Sequence, residues 1–220
     1  MRAVLFDLGD TLVKTAPVGE ILARILAAHG IQSCLSESDS AYREVNGQLT
    51  FEDYTLPYRK FWRLYNMKIL RRLGIRGDLE ELADMVTDEW WENAGLELYP
   101  DVEETLVRLK EMGLKIGMVT NGYRKDIEEI LSRTGLTREF DVTVGADDVG
   151  KPKPSKDIFR YALEKIGVSP QEALFVGDNV KTDYEGAEKA GLKALLIDRN
   201  NQVSGEVKRI QDLRELTQYF

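Results

Sequence analysis

The chain has 220 residues, 43% of them hydrophobic and 31% charged, which allows one large domain or a core with a modest insertion. Lys and Arg total 30 against 38 Asp and Glu, and the resulting charge of −8 argues against a nucleic-acid backbone or an anionic membrane as partner. One cysteine, Cys34, and one histidine, His29, exclude an internal disulfide, a multi-cysteine zinc site and a histidine-rich metal site, leaving chemistry for carboxylates, lysine and hydroxyls.

Residues 2–6 are a short apolar run ending on an acid, as a buried parallel strand does. No charged leader, long apolar run or cleavage site accompanies it, and no apolar stretch approaches the ~20 residues of a membrane helix. The expectation is a cytoplasmic protein. Residues 14–97 then read as helical, with no convincing strand. Tyr58, Phe61, Trp62, Tyr65, Ile69 and Leu73 recur at helical spacing as a core stripe. Residues 54–77 carry seven basic side chains and no acid, and residues 78–97 carry eight acids and no base. That pattern predicts two neighbouring helices with complementary faces. His29, just before Gly30, reads as a helix C-terminal residue, and Cys34 as a small packed side chain.

Further on, apolar runs at 114–119, 142–144, 173–177 and 193–197 predict strands. Helix-length segments at roughly 101–112, 123–134, 155–166 and 179–190 separate them, with another at 205–216. Asp101 with Glu104 suggests a capping box, Ser155 opens a periodic run, and Gly113, Gly135, Gly167 and Gly191 stand where helices should end. This alternation predicts an α/β fold, a doubly wound parallel sheet built from residues 1–13 and 98–220, with residues 14–97 as an inserted helical domain.

Four polar segments fall at predicted strand ends: Asp7-Leu8-Gly9-Asp10-Thr11, Thr120-Asn121-Gly122, Lys151-Pro152-Lys153-Pro154, and Gly177-Asp178-Asn179 with Asp183 beyond. A doubly wound sheet gathers such loops at one edge. Asp7 and Asp178 would supply hard oxygen ligands suited to Mg²⁺, and a carboxylate can also act as a nucleophile. Lys151 offers a point charge to phosphate oxygens, Thr120 a hydroxyl, and the Asn121 and Gly122 amides a small anion nest. Together these can position a phosphoryl group and neutralise its charge.

In the order and spacing of these segments the chain resembles the haloacid dehalogenase-like superfamily along its whole length. The resemblance implies a Rossmann-like core with the helical insertion as a cap domain. It implies Asp7 as nucleophile, and Asp7, the Gly9 backbone carbonyl and Asp178 as Mg²⁺ ligands, with Asp183 behind them. Thr120, Asn121 and Gly122 would hold the phosphoryl group, and Lys151 would neutralise it. Family phosphatases carry a second aspartate two residues after the nucleophile, as acid and then base. Gly9 stands there instead, and Asp10, one place later, is the available substitute. The expected activity is hydrolysis of a small phosphorylated metabolite through an aspartyl-phosphate, by a monomer or homodimer. A 2-haloacid dehalogenase and a phosphonate hydrolase using Lys60 or Lys68 are alternatives within the family. A non-catalytic phospho-ligand-binding protein is the alternative outside it.

Overall fold

A computed structural model describes residues 1–220. The chain divides into two compact units, Met1–Lys14 with Glu97–Phe220, and Thr15–Leu96.

The first unit is built on a six-stranded parallel sheet. Its strands are β1 (Ala3–Phe6), β4 (Lys115–Val119), β5 (Val142–Val144), β6 (Ala173–Gly177), β7 (Lys193–Ile197) and β8 (Arg209–Ile210), in the order β5-β4-β1-β6-β7-β8. All neighbours run parallel. Every residue of β1 is fully buried, which its unbroken Ala-Val-Leu-Phe sequence permits because helices cover both faces of such a sheet. Helices α5 (Val102–Glu111), α6 (Arg124–Thr134), α7 (Lys156–Ile166) and α8 (Glu185–Ala190) connect the strands. In α7, Ile158, Phe159, Ala162, Leu163 and Ile166 form one buried stripe, and Phe159 meets Phe175 of β6 edge-on at 5.0 Å. Gly117 of β4 is held to glycine by Leu5, since a Cβ there would lie 2.2 Å from the leucine side chain.

Where the chain leaves and re-enters this unit, β2 (Val13–Lys14) and β3 (Glu97–Leu98) pair as an antiparallel ribbon, and Lys14 meets Glu97 at 2.8 Å. Sequence periodicity gave no sign of it, because two-residue strands have no period to read.

The second unit contains α1 (Val18–Ala28), α2 (Leu35–Gly47), α3 (Tyr58–Arg72) and α4 (Leu79–Asn93). Phe61, Tyr65 and Ile69 are buried on α3, as their spacing predicts, and the Phe61 and Tyr65 rings stack at 5.8 Å. The charge blocks pair across α3 and α4, Arg59 with Asp88 at 2.8 Å and Arg63 with Asp84 at 2.5 Å. His29 caps the end of α1 and contacts Glu89 at 2.8 Å.

Three local expectations fail. Residues 205–216 are not a helix: Arg209–Ile210 joins the sheet edge beside Leu196–Ile197, and a 3₁₀ segment covers Leu213–Tyr219. Asp198 directs the approach to that strand by accepting from the Gln202 and Val203 N–H groups. Asp101 does not cap α5 with its side chain, because its carboxylate instead pairs with Arg199 and accepts from the Leu213 N–H. Cys34 is exposed rather than packed, since it stands at the N-cap of α2.

Candidate active site

Strand β1 lies between β4 and β6, and their registers align Phe6 with Met118 and with Val176. The chain therefore emerges from the same edge at Asp7, Thr120 and Asp178, where β4–β5 wind one way from β1 and β6–β8 the other. This is the topological switch point at which open α/β sheets carry their sites.

Asp7 is buried, its N–H donating to the Val176 carbonyl at 2.9 Å. Its Oδ1 lies 2.5 Å from Nζ of Lys153, and the same amine lies 2.7 Å from Oδ1 of Asp183. The side chains of Lys153 and Asp183 are 3% and 1% exposed. Burial pushes the Asp7 carboxyl up to about 6 even though Lys153 pulls the other way. For Lys153, burial opposes the charge, but the two carboxylates outweigh it and hold the amine above its ordinary value. The amine also stands 5.3 Å from the centre of the Phe175 ring.

Asp183 reaches this position because residues 180–184 form a single π-helical turn before α8. Both its oxygens are engaged, Oδ1 by Lys153 and Oδ2 by the Asn179 N–H at 3.0 Å. The carboxylate packs so close to the β6 terminus that a Cβ at Gly177 would fall 2.5 Å from it. Only glycine fits there.

Asp178 accepts no hydrogen bond from the protein and is half-buried. Burial, then the Asp7, Asp183 and Asp10 carboxylates, push it up to about 7. Asp7, Asp178 and Asp183 each offer an oxygen within 4.8 Å of the others. Three convergent carboxylates, one without a hydrogen-bond donor, fit a hard divalent cation such as Mg²⁺. With both Asp183 oxygens occupied, Asp7 and Asp178 are the carboxylates free to face it.

Gly9 and Asp10 occupy the turn after Asp7. The Asp10 N–H donates to Val13 O, and the Leu12 and Val13 N–H groups both donate to Leu8 O. Asp10 takes the left-handed conformation, φ 54°, and burial raises its pKa. Gly9 has open space around it, with nothing within 4 Å of where a Cβ would stand.

Thr120 is buried at the end of β4, and its hydroxyl accepts from the Gly122 N–H at 3.2 Å. That bond engages one of the two amides expected to form the nest. Asn121 turns toward the main chain of Lys153.

Lys151 is the clearest correction. Its side chain is 47% exposed and pairs with Asp157 at 2.6 Å, so the lysine on the aspartates is Lys153. In an extended Lys-Pro-Lys-Pro segment both lysines share a face, and spacing alone does not separate them. Lys153 stands two residues before the Ser155 N-cap of α7, and Lys151 stands four. Lys60 and Lys68 are exposed on α3.

A family model described as haloacid dehalogenase-like hydrolase matches residues 1–191. A glyceraldehyde 3-phosphate phosphatase of Methanopyrus kandleri is 33% identical over 218 residues, 97% of this chain and 91% of that one. A phosphoserine phosphatase of Thermus thermophilus is 28% identical, with 98% of each chain covered. The crystal structure of a HAD phosphatase from Thermococcus onnurineus matches with a TM-score of 0.72 at 29% identity, over 100% of this chain and 97% of that one. Sequence and fold agree along nearly the full length, and the chain belongs to the haloacid dehalogenase-like hydrolases.

Proposed function

We propose that the protein is a Mg²⁺-dependent phosphatase acting on a small phosphorylated metabolite through an aspartyl-phosphate on Asp7. The observation that carries this reading is the buried contact of Lys153 with both Asp7 and Asp183, with the unpartnered Asp178 beside them. Asp7, Asp178 and the Gly9 carbonyl would hold the cation, with Asp183 supporting from behind. The ion supplies charge neutralisation for the phosphoryl oxygens and the attacking carboxylate.

In this reading an Asp7 oxygen attacks phosphorus, the ester P–O bond breaks, and the departing alkoxide takes its proton from Asp10 or from solvent. Lys153 keeps the carboxylate ionised and oriented, and its charge faces the developing negative charge on the phosphoryl oxygens. The Thr120 hydroxyl, already accepting from Gly122, is left to donate its proton to a phosphoryl oxygen. Water then cleaves the aspartyl-phosphate and restores Asp7. The relatives named for glyceraldehyde 3-phosphate and phosphoserine point to a phosphate ester of a small primary alcohol. Residues 14–97 would act as the cap that selects it.

Hydrolysis of p-nitrophenyl phosphate, and of a panel of small phosphate esters, tests the proposal. Activity should require Mg²⁺, stop with EDTA, and be abolished in folded Asp7→Asn protein. Full activity in EDTA would reject metal dependence, and retained turnover in Asp7→Asn would mean that water attacks phosphorus directly.

A further inference from the structure

Asn121 is expected to hold the phosphoryl group, yet its side chain is engaged elsewhere. Its Oδ1 accepts from the Lys153 N–H at 2.6 Å and its Nδ2 donates to the Lys153 carbonyl at 3.2 Å. One planar amide thus makes both bonds that a neighbouring strand would offer to a single residue. Pro152 and Pro154 flank Lys153, so its N–H is the sole main-chain donor across those three positions. That donor goes to Asn121. The clasp ties the end of β4 to the loop before α7, at the root of the one lysine buried between Asp7 and Asp183.

We infer that Asn121 is a positioning residue for Lys153: its amide fixes the lysine backbone so that the amine meets Asp7 and Asp183. The kinetic consequence rests on the phosphatase reading; the clasp does not. Lysine carries four rotatable bonds, so a loosened root lets the amine wander by an ångström or more at its tip. Misplacement on that scale away from the chemistry costs about 10²-fold in rate. Substrate affinity should change little, because both polar atoms of the Asn121 side chain are turned to the Lys153 main chain.

The test uses full-length Asn121→Ala and Asn121→Asp, the latter isosteric and keeping the bond accepted from the Lys153 N–H. Reductive dimethylation followed by peptide mass mapping reads the accessibility of Lys153, with exposed Lys151 as internal reference. Lys153 should label about tenfold faster in Asn121→Ala than in wild type, and to an intermediate extent in Asn121→Asp, with Lys151 unchanged. With p-nitrophenyl phosphate, kcat should fall about 10²-fold in Asn121→Ala with KM within about twofold. Adding Asn121→Ala to Lys153→Ala should cost nothing further. Wild-type labelling of Lys153 in both variants would overturn the inference, as would a raised KM at unchanged kcat. Should wild type hydrolyse no phosphate ester, the phosphatase reading falls while the labelling still decides the clasp.

Discussion

At the carboxyl ends of β1 and β6, Lys153 meets Asp7 at 2.5 Å with its side chain 3% exposed; between α3 and α4, Arg63 meets Asp84 at the same 2.5 Å with its side chain 39% exposed. The distances are equal and the settings are opposite. Water screens the helical pair, which adds little and fades with salt. Around Lys153 there is little water to do so. Burial and neighbouring carboxylates raise the proton affinity of Asp7 and Asp178, and Lys153 opposes that rise at both. Contact geometry alone thus does not separate these two ion pairs; burial does.

The comparison is broken most severely at the two lysines of one loop. Lys153→Ala should lower kcat by about 10³-fold, and it should destabilise the protein by about 3–5 kcal/mol, since two buried carboxylates lose their counter-charge. Lys151→Ala should leave kcat within about twofold, because its partner Asp157 is a surface group. Steady-state kinetics and thermal unfolding of the two variants check both expectations. The reverse outcome would return the neutralising role to Lys151.

Gly9→Asp sharpens the comparison by adding a carboxylate near the buried cluster. The space for its Cβ is open, so the change should not disturb the turn. General acid help is worth ~10²–10⁴-fold, so single-turnover cleavage of an alkyl phosphate should rise by up to about 10²-fold, while p-nitrophenyl phosphate gains little. If Asp10 already serves as the acid, Asp10→Asn is the damaging change and Gly9→Asp gains nothing for either substrate.

Much of this was legible in the sequence. Strands β1, β4, β5, β6 and β7 follow from apolar runs that only a doubly covered sheet can bury, and their ends mark Asp7, Thr120 and Asp178. What escaped depends on contacts between distant segments. Lys151 meets Asp157, 6 residues away, whereas Lys153 meets Asp7 across 146 residues. Asp101 is drawn from its helix by Arg199, 98 residues away. The engagement of Asn121 with Lys153 spans 32 residues, and no local pattern announces it.

A smaller effect follows from pH. Folded Asp7 and Asp178 have pKa values raised to about 6 and about 7 from an ordinary 3.8, so between these limits the folded state binds more protons than the unfolded one. Stability from these groups therefore falls as pH rises from 5.5 to 8, and returns on acidification. Carboxylates with lowered pKa, such as Asp84 and Asp157, are ionised in both states across that window and do not mask the trend. In EDTA the melting temperature should drop by a few degrees from pH 5.5 to 8, and Mg²⁺ should flatten the slope by favouring the ionised forms. An unchanged slope with saturating Mg²⁺ would mean that the cation does not bind these carboxylates.

The smallest expected effect lies at the α3–α4 seam, where the comparison predicts near-silence. Arg63 grips Asp84 with two bonds, Nε to Oδ1 at 2.9 Å and Nη2 to Oδ2 at 2.5 Å, a geometry that favours strength. Solvent works against it, and Phe61, Tyr65, Ile69, Ala83 and Val86 bury apolar surface on these two helices without help from the charges. Arg63→Gln keeps much of the apolar stem and Asp84→Asn keeps the volume, so each removes charge with little loss of packing. Each should lower the melting temperature by a degree or two at low salt, and the double variant by no more than either alone. In molar salt the differences should vanish, because charges this exposed are screened within a few ångströms. Turnover should be unchanged throughout. A salt-independent loss of several degrees would show that the pair is shielded from water after all, and a fall in kcat at wild-type stability would give the helical unit an electrostatic part in the reaction.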